Sequence, residues 1–227
     1  NQPEVNIVTL EDPVEATLPD INHVKIDVQG GVTFSSGLRS ILRQDPDIVF
    51  VGEMRDKEVS QIALRAALTG HMVLSTLHTN SAAESVVRLE DMGVPGFLLA
   101  SALVMVIAQR LVRSICSDCA EPIEPTEDEI QEFNITADQL TAHTMKKGAG
   151  CKSCGDSGFR GRAAVYEILR VGGRLKEMIR VGTTAEEITA TAKEDGMLTL
   201  YDAGIMKALR GITSFSEVRR VLARSDW

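Results

Sequence analysis

Along the first part of the chain, short continuous apolar runs alternate with stretches whose apolar residues return every three to four positions. Val5-Asn6-Ile7-Val8-Thr9-Leu10 is apolar and β-branched and stops at Glu11-Asp12-Pro13. Proline cannot donate to a ladder, so a strand is predicted to end here with both carboxylates at or just past its carboxyl end. Thr33 to Ser36 offers capping hydroxyls, and the following segment sets Leu38, Ile41 and Leu42 on one helical face and Arg39 and Arg43 one turn apart on another. Asp45-Pro46-Asp47 breaks that helix. Ile48-Val49-Phe50-Val51 reads as a strand buried on both faces and ends at Gly52-Glu53. A helix is predicted from Lys57 to Leu68, closed by Thr69-Gly70, then a strand from Met72 to Leu77 ending in His78. Asn80 or Ser81 caps a further helix through about Met92.

This strand–helix alternation predicts a parallel sheet covered by helices, and in such sheets every carboxyl end lies along one edge, where ligands bind. Topology therefore brings Glu11 and Asp12, Glu53 and His78 to one edge. Two carboxylates and an imidazole beside a phosphate-sized gap suit metal-assisted phosphoryl transfer. Polar residues follow buried strands routinely, so any one of them means little, and His23 and His143 read as turn or core residues. Three convergent ends mark a candidate site.

The apolar stretch Pro95 to Ala108 falls short of the roughly 20 residues of a bilayer span and is predicted to be a buried or interface helix. Arg162 to Leu169 is predicted as a strand. After it, segments near Arg174–Val181, Ala185–Ala192, Leu198–Leu209 and Phe215–Leu222 carry helical spacing, with Thr184 and Ser214 as candidate caps and Gly182, Gly196 and Gly211 between them. The expected role of this region is packing and subunit contact.

The 227 residues carry 24 basic and 32 acidic side chains, a net charge of −8 that argues against bulk electrostatic adhesion to nucleic acid or an anionic membrane. The start at Asn1, without a basic or apolar leader, is expected to be a fragment boundary and not a signal peptide.

Four cysteines form two C-x-x-C pairs, Cys116/Cys119 and Cys151/Cys154, with residues 120–150 between them. Two such knuckles can wrap one tetrahedral Zn²⁺, although the separation exceeds usual ribbon spacing. Disulfides, reduced structural thiols and C-x-x-C redox chemistry are the alternatives, the first disfavoured without a secretory signal. The intervening segment is acidic, with Thr126 as a helix cap, and is expected to pack as a small lobe whose ends meet at the metal.

Ile7 to Glu15 resembles the Asp box of the type II secretion and type IV pilus assembly ATPases. Leu42 to Asp47, continuing through Val51-Gly52-Glu53-Met54-Arg55-Asp56, resembles their Walker B segment, and Thr69-Gly70-His71 through Ala82 their His box. Ala108 to Arg113 followed by paired cysteines is similar to the entry into their zinc-binding insert. The resemblance implies a partial RecA-like ATPase core with a mostly parallel sheet over residues 1–112, a tetra-cysteine zinc insert over 113–161 and a mainly helical domain over 162–227. It implies ATP with Mg²⁺, structural Zn²⁺ on the four cysteines, a homo-hexamer, and inner-membrane platform proteins as partners of a cytoplasmic motor. Glu53 is then the Walker B carboxylate, Glu11 orients the attacking water and His78 approaches the terminal phosphate. Asp12 and Glu15 lie in the same box, and His71 stabilises the neighbouring strand. Arg39, Arg43, Arg55, Arg160 and Arg162 are candidates for charge neutralisation or subunit contacts.

One feature of the family is missing. The chain contains no Gly-Lys dipeptide and hence no G-x-x-x-x-G-K-[ST] phosphate loop. The resemblance puts that loop ahead of the Asp box, so a fragment beginning downstream of it is expected, without ATPase activity of its own. A zinc-dependent nucleic-acid module is the competing reading. The acidic balance and only six Phe, two Tyr and one Trp, without a basic-aromatic stripe, argue against it.

Overall fold

A computed structural model of the protein describes residues 1–222. In chain order its elements are β1 Ile7–Glu11, β2 Asn22–Lys25, α1 Phe34–Ile41, β3 Ile48–Val51, α2 Lys57–Leu68, β4 Met72–Ser75, α3 Ala82–Asp91, α4 Gly96–Ala102 and β5 Met105–Ile115. There follow β6 Ala120–Ile123, α5 Glu127–Glu132, α6 Ala137–Ala142, β7 Met145–Gly148, β8 Phe159–Arg170, α7 Gly173–Val181, α8 Ala185–Glu194, α9 Leu200–Leu209 and α10 Phe215–Leu222. The chain divides into two compact units, one of residues 1–106 with 170–192, the other of 107–169 with 193 onward.

The first unit is built on a wholly parallel sheet in the order β2-β1-β3-β4. Because successive side chains point to opposite faces, Val8, Leu10, Val49 and Val51 share the face covered by α1 and α2, where they pack with Leu38, Ile41, Val59 and Ala63. Thr9, Glu11, Phe50 and His23 fall on the other face by register. Capping follows the residues that favour it: Thr33 accepts from the Ser36 amide, Asp56 from Val59 and Ser81 from Glu84, each closing the first turn of a helix. The fold class expected from the sequence, α/β with a parallel sheet, is the one observed.

Glu11 is the last residue of β1, paired with Lys25, and Asp12 follows just past the strand's end, as expected. Two details differ from the sequence reading. Residues 22–25 form a strand that the sequence reading left out, because four residues with one apolar side chain give almost no period-2 signal. The apolar run 95–108 is helical only to Ala102; Leu103 turns extended, and from Met105 onward the chain is a strand paired with β8. The β-branched Val104, Val106 and Ile107 favour that outcome, and partner pairing decides it.

In the second unit β6 and β7 form an antiparallel ribbon from which α5 and α6 project. Phe133 stacks on Phe215 and Tyr201, joining this lobe to α9 and α10. Arg219 grips Glu132 through two nitrogens, at 2.6–2.9 Å. A groove of about 830 Å³ lies between these elements, but its charged walls are already paired, Lys193 with Asp202 and Arg219 with Glu132. Among the described residues no helix is long and apolar enough to cross a membrane.

Candidate functional site

The carboxyl ends of β3 and β4 are tied together beyond the ladder. Met54 N–H donates to the Thr76 carbonyl, and the Thr76 hydroxyl to the Gly52 carbonyl. Gly52 also packs on β1: its amide donates to Leu10 O, and a Cβ there would stand 3.4 Å from the Glu11 Cα. These contacts carry Glu53 and His78 to one place. Glu53 Oε2 lies 3.5 Å from His78 Nε2, and Glu53 Oε1 accepts from the Arg55 guanidinium, which also reaches Asp12 at 3.6 Å. Arg55 is further held over the Phe34 ring, 5.5 Å from its centre. The hydrogen bond from Arg55 keeps the Glu53 carboxyl below the usual carboxylate range, against a smaller upward push from burial, with further help from the charge of Arg55 and from His78. The imidazole of His78 is almost fully exposed, 90% by side chain, so it stands open to a ligand.

Glu11 is held apart from that exposed group. Its Oε1 accepts from the Thr9 hydroxyl at 2.5 Å and lies 2.9 Å from His23 Nδ1, on the other face of the same sheet edge. Burial pushes the Glu11 carboxyl up, but the hydrogen bonds from Thr9, His23 and the Glu15 amide outweigh it and hold the acid ionised. Glu11 and His23 are only 13% and 11% exposed by side chain.

Other residues singled out in the sequence have different partners. Arg39 pairs with Glu58 at 3.1 Å on the surface, and Arg43 reaches the Ser40 hydroxyl. His71 Nδ1 lies 3.0 Å from the Ala66 carbonyl and ties the start of β4 to the end of α2. Arg160 pairs with Asp118 in the second unit, where Arg162 is exposed on β8. Thr9 and His23 went unrecognised as part of the site. Their signal exists only in the register that sets Thr9 opposite His23, which no local pattern reveals.

The four cysteines converge in the second unit. Their sulfurs lie within 4.8 Å of one another, with close pairs at 3.9 Å (Cys116–Cys151), 4.0 Å (Cys119–Cys154) and 3.7 Å (Cys151–Cys154). Four thiolates about 2.3 Å from a central zinc would be about 3.8 Å apart, so the donor set fits one tetrahedral Zn²⁺. The thiols are free and not disulfide-bonded. Burial pushes the Cys119 thiol up to about 12. Cys154 also feels burial, yet the amides of Cys151 and Gly158, each 3.3 Å from its sulfur, draw it down to about 6. Amide-to-sulfur bonds of this kind stabilise a thiolate and prepare it to bind a cation. The knuckles meet because Gly148 and Gly158 let two backbones touch: a Cβ on Gly148 would lie 2.0 Å from the Gly158 oxygen.

A parallel α/β sheet with acids and a histidine at its carboxyl edge, joined to a four-cysteine lobe, defines a partial RecA-like core of the secretion-motor class. The chain belongs to the Type II/IV secretion system protein family, whose model matches residues 1–220. It is 44% identical over 216 residues to the type IV pilus assembly ATPase PilB of Thermus thermophilus, an alignment covering 95% of this chain and 24% of that protein. It is also 44% identical over 229 residues to the type II secretion system ATPase E of Vibrio cholerae, covering 99% of this chain and 44% of that protein. The solved structure of the pilus retraction motor PilT with bound ADP aligns with a TM-score of 0.66 and 26% identity, over 97% of this chain and 53% of that one. The chain therefore spans less than half the length of the curated relatives it matches.

Proposed function

We propose that this chain is the phosphate-sensing part of an ATP-hydrolysing motor for type II secretion or type IV pilus assembly. The observation that carries the reading is the group of Asp12, Glu53, Arg55 and His78 at one sheet edge. In this reading Glu53 is the Walker B carboxylate and, with Asp12, offers oxygen ligands for Mg²⁺. The bound metal supplies charge neutralisation at the phosphates. Arg55 holds Glu53 ionised and in place, Glu11 orients the attacking water, and His78 meets the terminal phosphate across open solvent. His71 keeps β4 against α2, and Arg39, Arg43, Arg160 and Arg162 serve subunit contacts or charge neutralisation. Glu15 steadies Glu11 through its amide.

The motor works as a cytoplasmic homo-hexamer at the inner membrane, bound through platform proteins, with Zn²⁺ on the four cysteines as a structural element closed to further ligands. Relatives named as pilus and secretion ATPases support this reading. Without a Gly-Lys phosphate loop, this chain by itself does not turn over ATP. The test is Glu53→Gln in a longer polypeptide that includes the loop. Hydrolysis falls at least about 100-fold while nucleotide binding persists. Near-normal turnover in that variant, or steady turnover by this chain alone, overturns the reading.

A further inference from the structure

We propose that His23 is a positioning residue that clamps two parts of the acidic strand end, Glu11 through one ring nitrogen and the β1–β2 connection through the other. The proposal rests on Glu11 being the water-orienting carboxylate of the motor.

The geometry fixes the tautomer. The Leu18 amide lies 3.1 Å from His23 Nε2. A main-chain N–H can only donate, so Nε2 accepts and the ring proton of the neutral imidazole resides on Nδ1. Nδ1 lies 2.9 Å from Glu11 Oε1, and an ionised carboxylate can only accept. The result is a directed relay: Leu18 N–H to Nε2, then Nδ1–H to Glu11. The Thr9 hydroxyl, 3.0 Å from Nδ1, donates to the same carboxylate oxygen and fixes it from a second side. The His23–Glu11 contact is poorly exposed to solvent, where hydrogen bonds hold orientation best, and the Leu18 contact lies nearer the surface.

The strand register explains why His23 can do this. It is paired with Thr9 on the neighbouring parallel strand, so its side chain rises beside Thr9 and Glu11, which share one face of β1. The connection it grips, residues 12–21, carries Asp12 and Glu15. One side chain thus sets the carboxylate on β1 and the loop that leaves it.

The two nitrogens can be tested separately in this chain. Asparagine places a donor near the Nδ1 position, whereas glutamine reaches the Nε2 position with an acceptor. Nitrogen-15 spectra of the unmodified imidazole are expected to show the Nδ1–H tautomer, and an Nε2–H tautomer overturns the proposal without any variant. In His23→Asn, Leu18 amide exchange should quicken about five-fold while the Glu11 carboxyl carbon-13 shift at neutral pH stays in place. In His23→Gln, Leu18 exchange should hold and the Glu11 carboxyl shift at neutral pH should move. If both variants shift both signals alike, His23 is mere packing and the clamp is wrong. None of these readouts needs nucleotide. Glu11→Gln in the longer motor tests the underlying catalytic reading alone: retained turnover there sinks that reading, while the spectra still decide the clamp.

Discussion

The wholly buried carboxylate of Glu217 takes both the main-chain amide of Arg113, at 3.0 Å, and its guanidinium, at 2.5 Å, across 104 residues of sequence. Arg220, one turn further along α10, adds bonds at 2.7 and 2.9 Å. The hydrogen bonds from Arg220, ahead of an opposing push from burial and together with those from Arg113, hold the Glu217 carboxyl far below the usual range. Strand β5 and helix α10 are locked by this one acid, and Thr213 adds a bond from its hydroxyl to the Arg113 carbonyl.

Glu217→Gln should therefore destabilise the second unit by about 2 kcal/mol at neutral pH, the loss being moderated because both guanidinium groups are half exposed. The folded acid is harder to protonate than the unfolded one, so its contribution is complete above the ordinary carboxylate pKa of about 4.3 and is lost as pH falls below it. Urea unfolding at pH 7 and at about pH 3 should show a large difference in the parent chain and a smaller one in the variant.

Gly148→Ala should disrupt the cysteine cluster without touching a ligand. The new methyl would collide with the Gly158 main chain, whose carbonyl accepts from the Cys116 amide and whose amide donates to the Cys154 sulfur. Backbone cannot rotate away as a side chain can. Metal analysis of reduced protein should fall from about one zinc per chain to well under half, with a lower melting temperature.

Arg55→Ala should raise the pH at which Glu53 titrates, because Arg55 is the foremost cause of its depressed value. A carbon-13 titration of the Glu53 carboxyl in this chain reads the change directly. An unmoved midpoint would mean that the ion pair contributes nothing in solution, as many surface pairs do.

Thr126→Ala removes one half of a capping box in which Thr126 accepts from the Glu129 amide and Glu129 returns a bond to the Thr126 amide. Six-residue helices are marginal by themselves, so α5 depends on this cap and on Arg219 holding Glu132. The expected cost is about 1 kcal/mol, seen as about five-fold faster exchange of the α5 amides.

Local patterns in the sequence determined much of this protein. Ile48–Val51 and Lys57–Leu68 fall where their periodicity puts them, and Thr33, Ser81, Thr126, Thr184 and Ser214 each cap the helix they precede. Such features depend on neighbours three or four residues away, so a single chain segment contains the whole cause. The convergence of Asp12, Glu53 and His78 was legible for a related reason, since parallel connection forces strand ends to one edge. Tertiary structure decided what depends on register. It placed His23 opposite Thr9, sent the adjacent carboxylates of Glu11 and Asp12 to different partners, and turned the second half of the 95–108 run from helix to strand. It also brought Arg113 to Glu217 and closed four distant sulfurs into one cluster. The free energy of these contacts comes from groups far apart along the chain, and no window of sequence holds both partners.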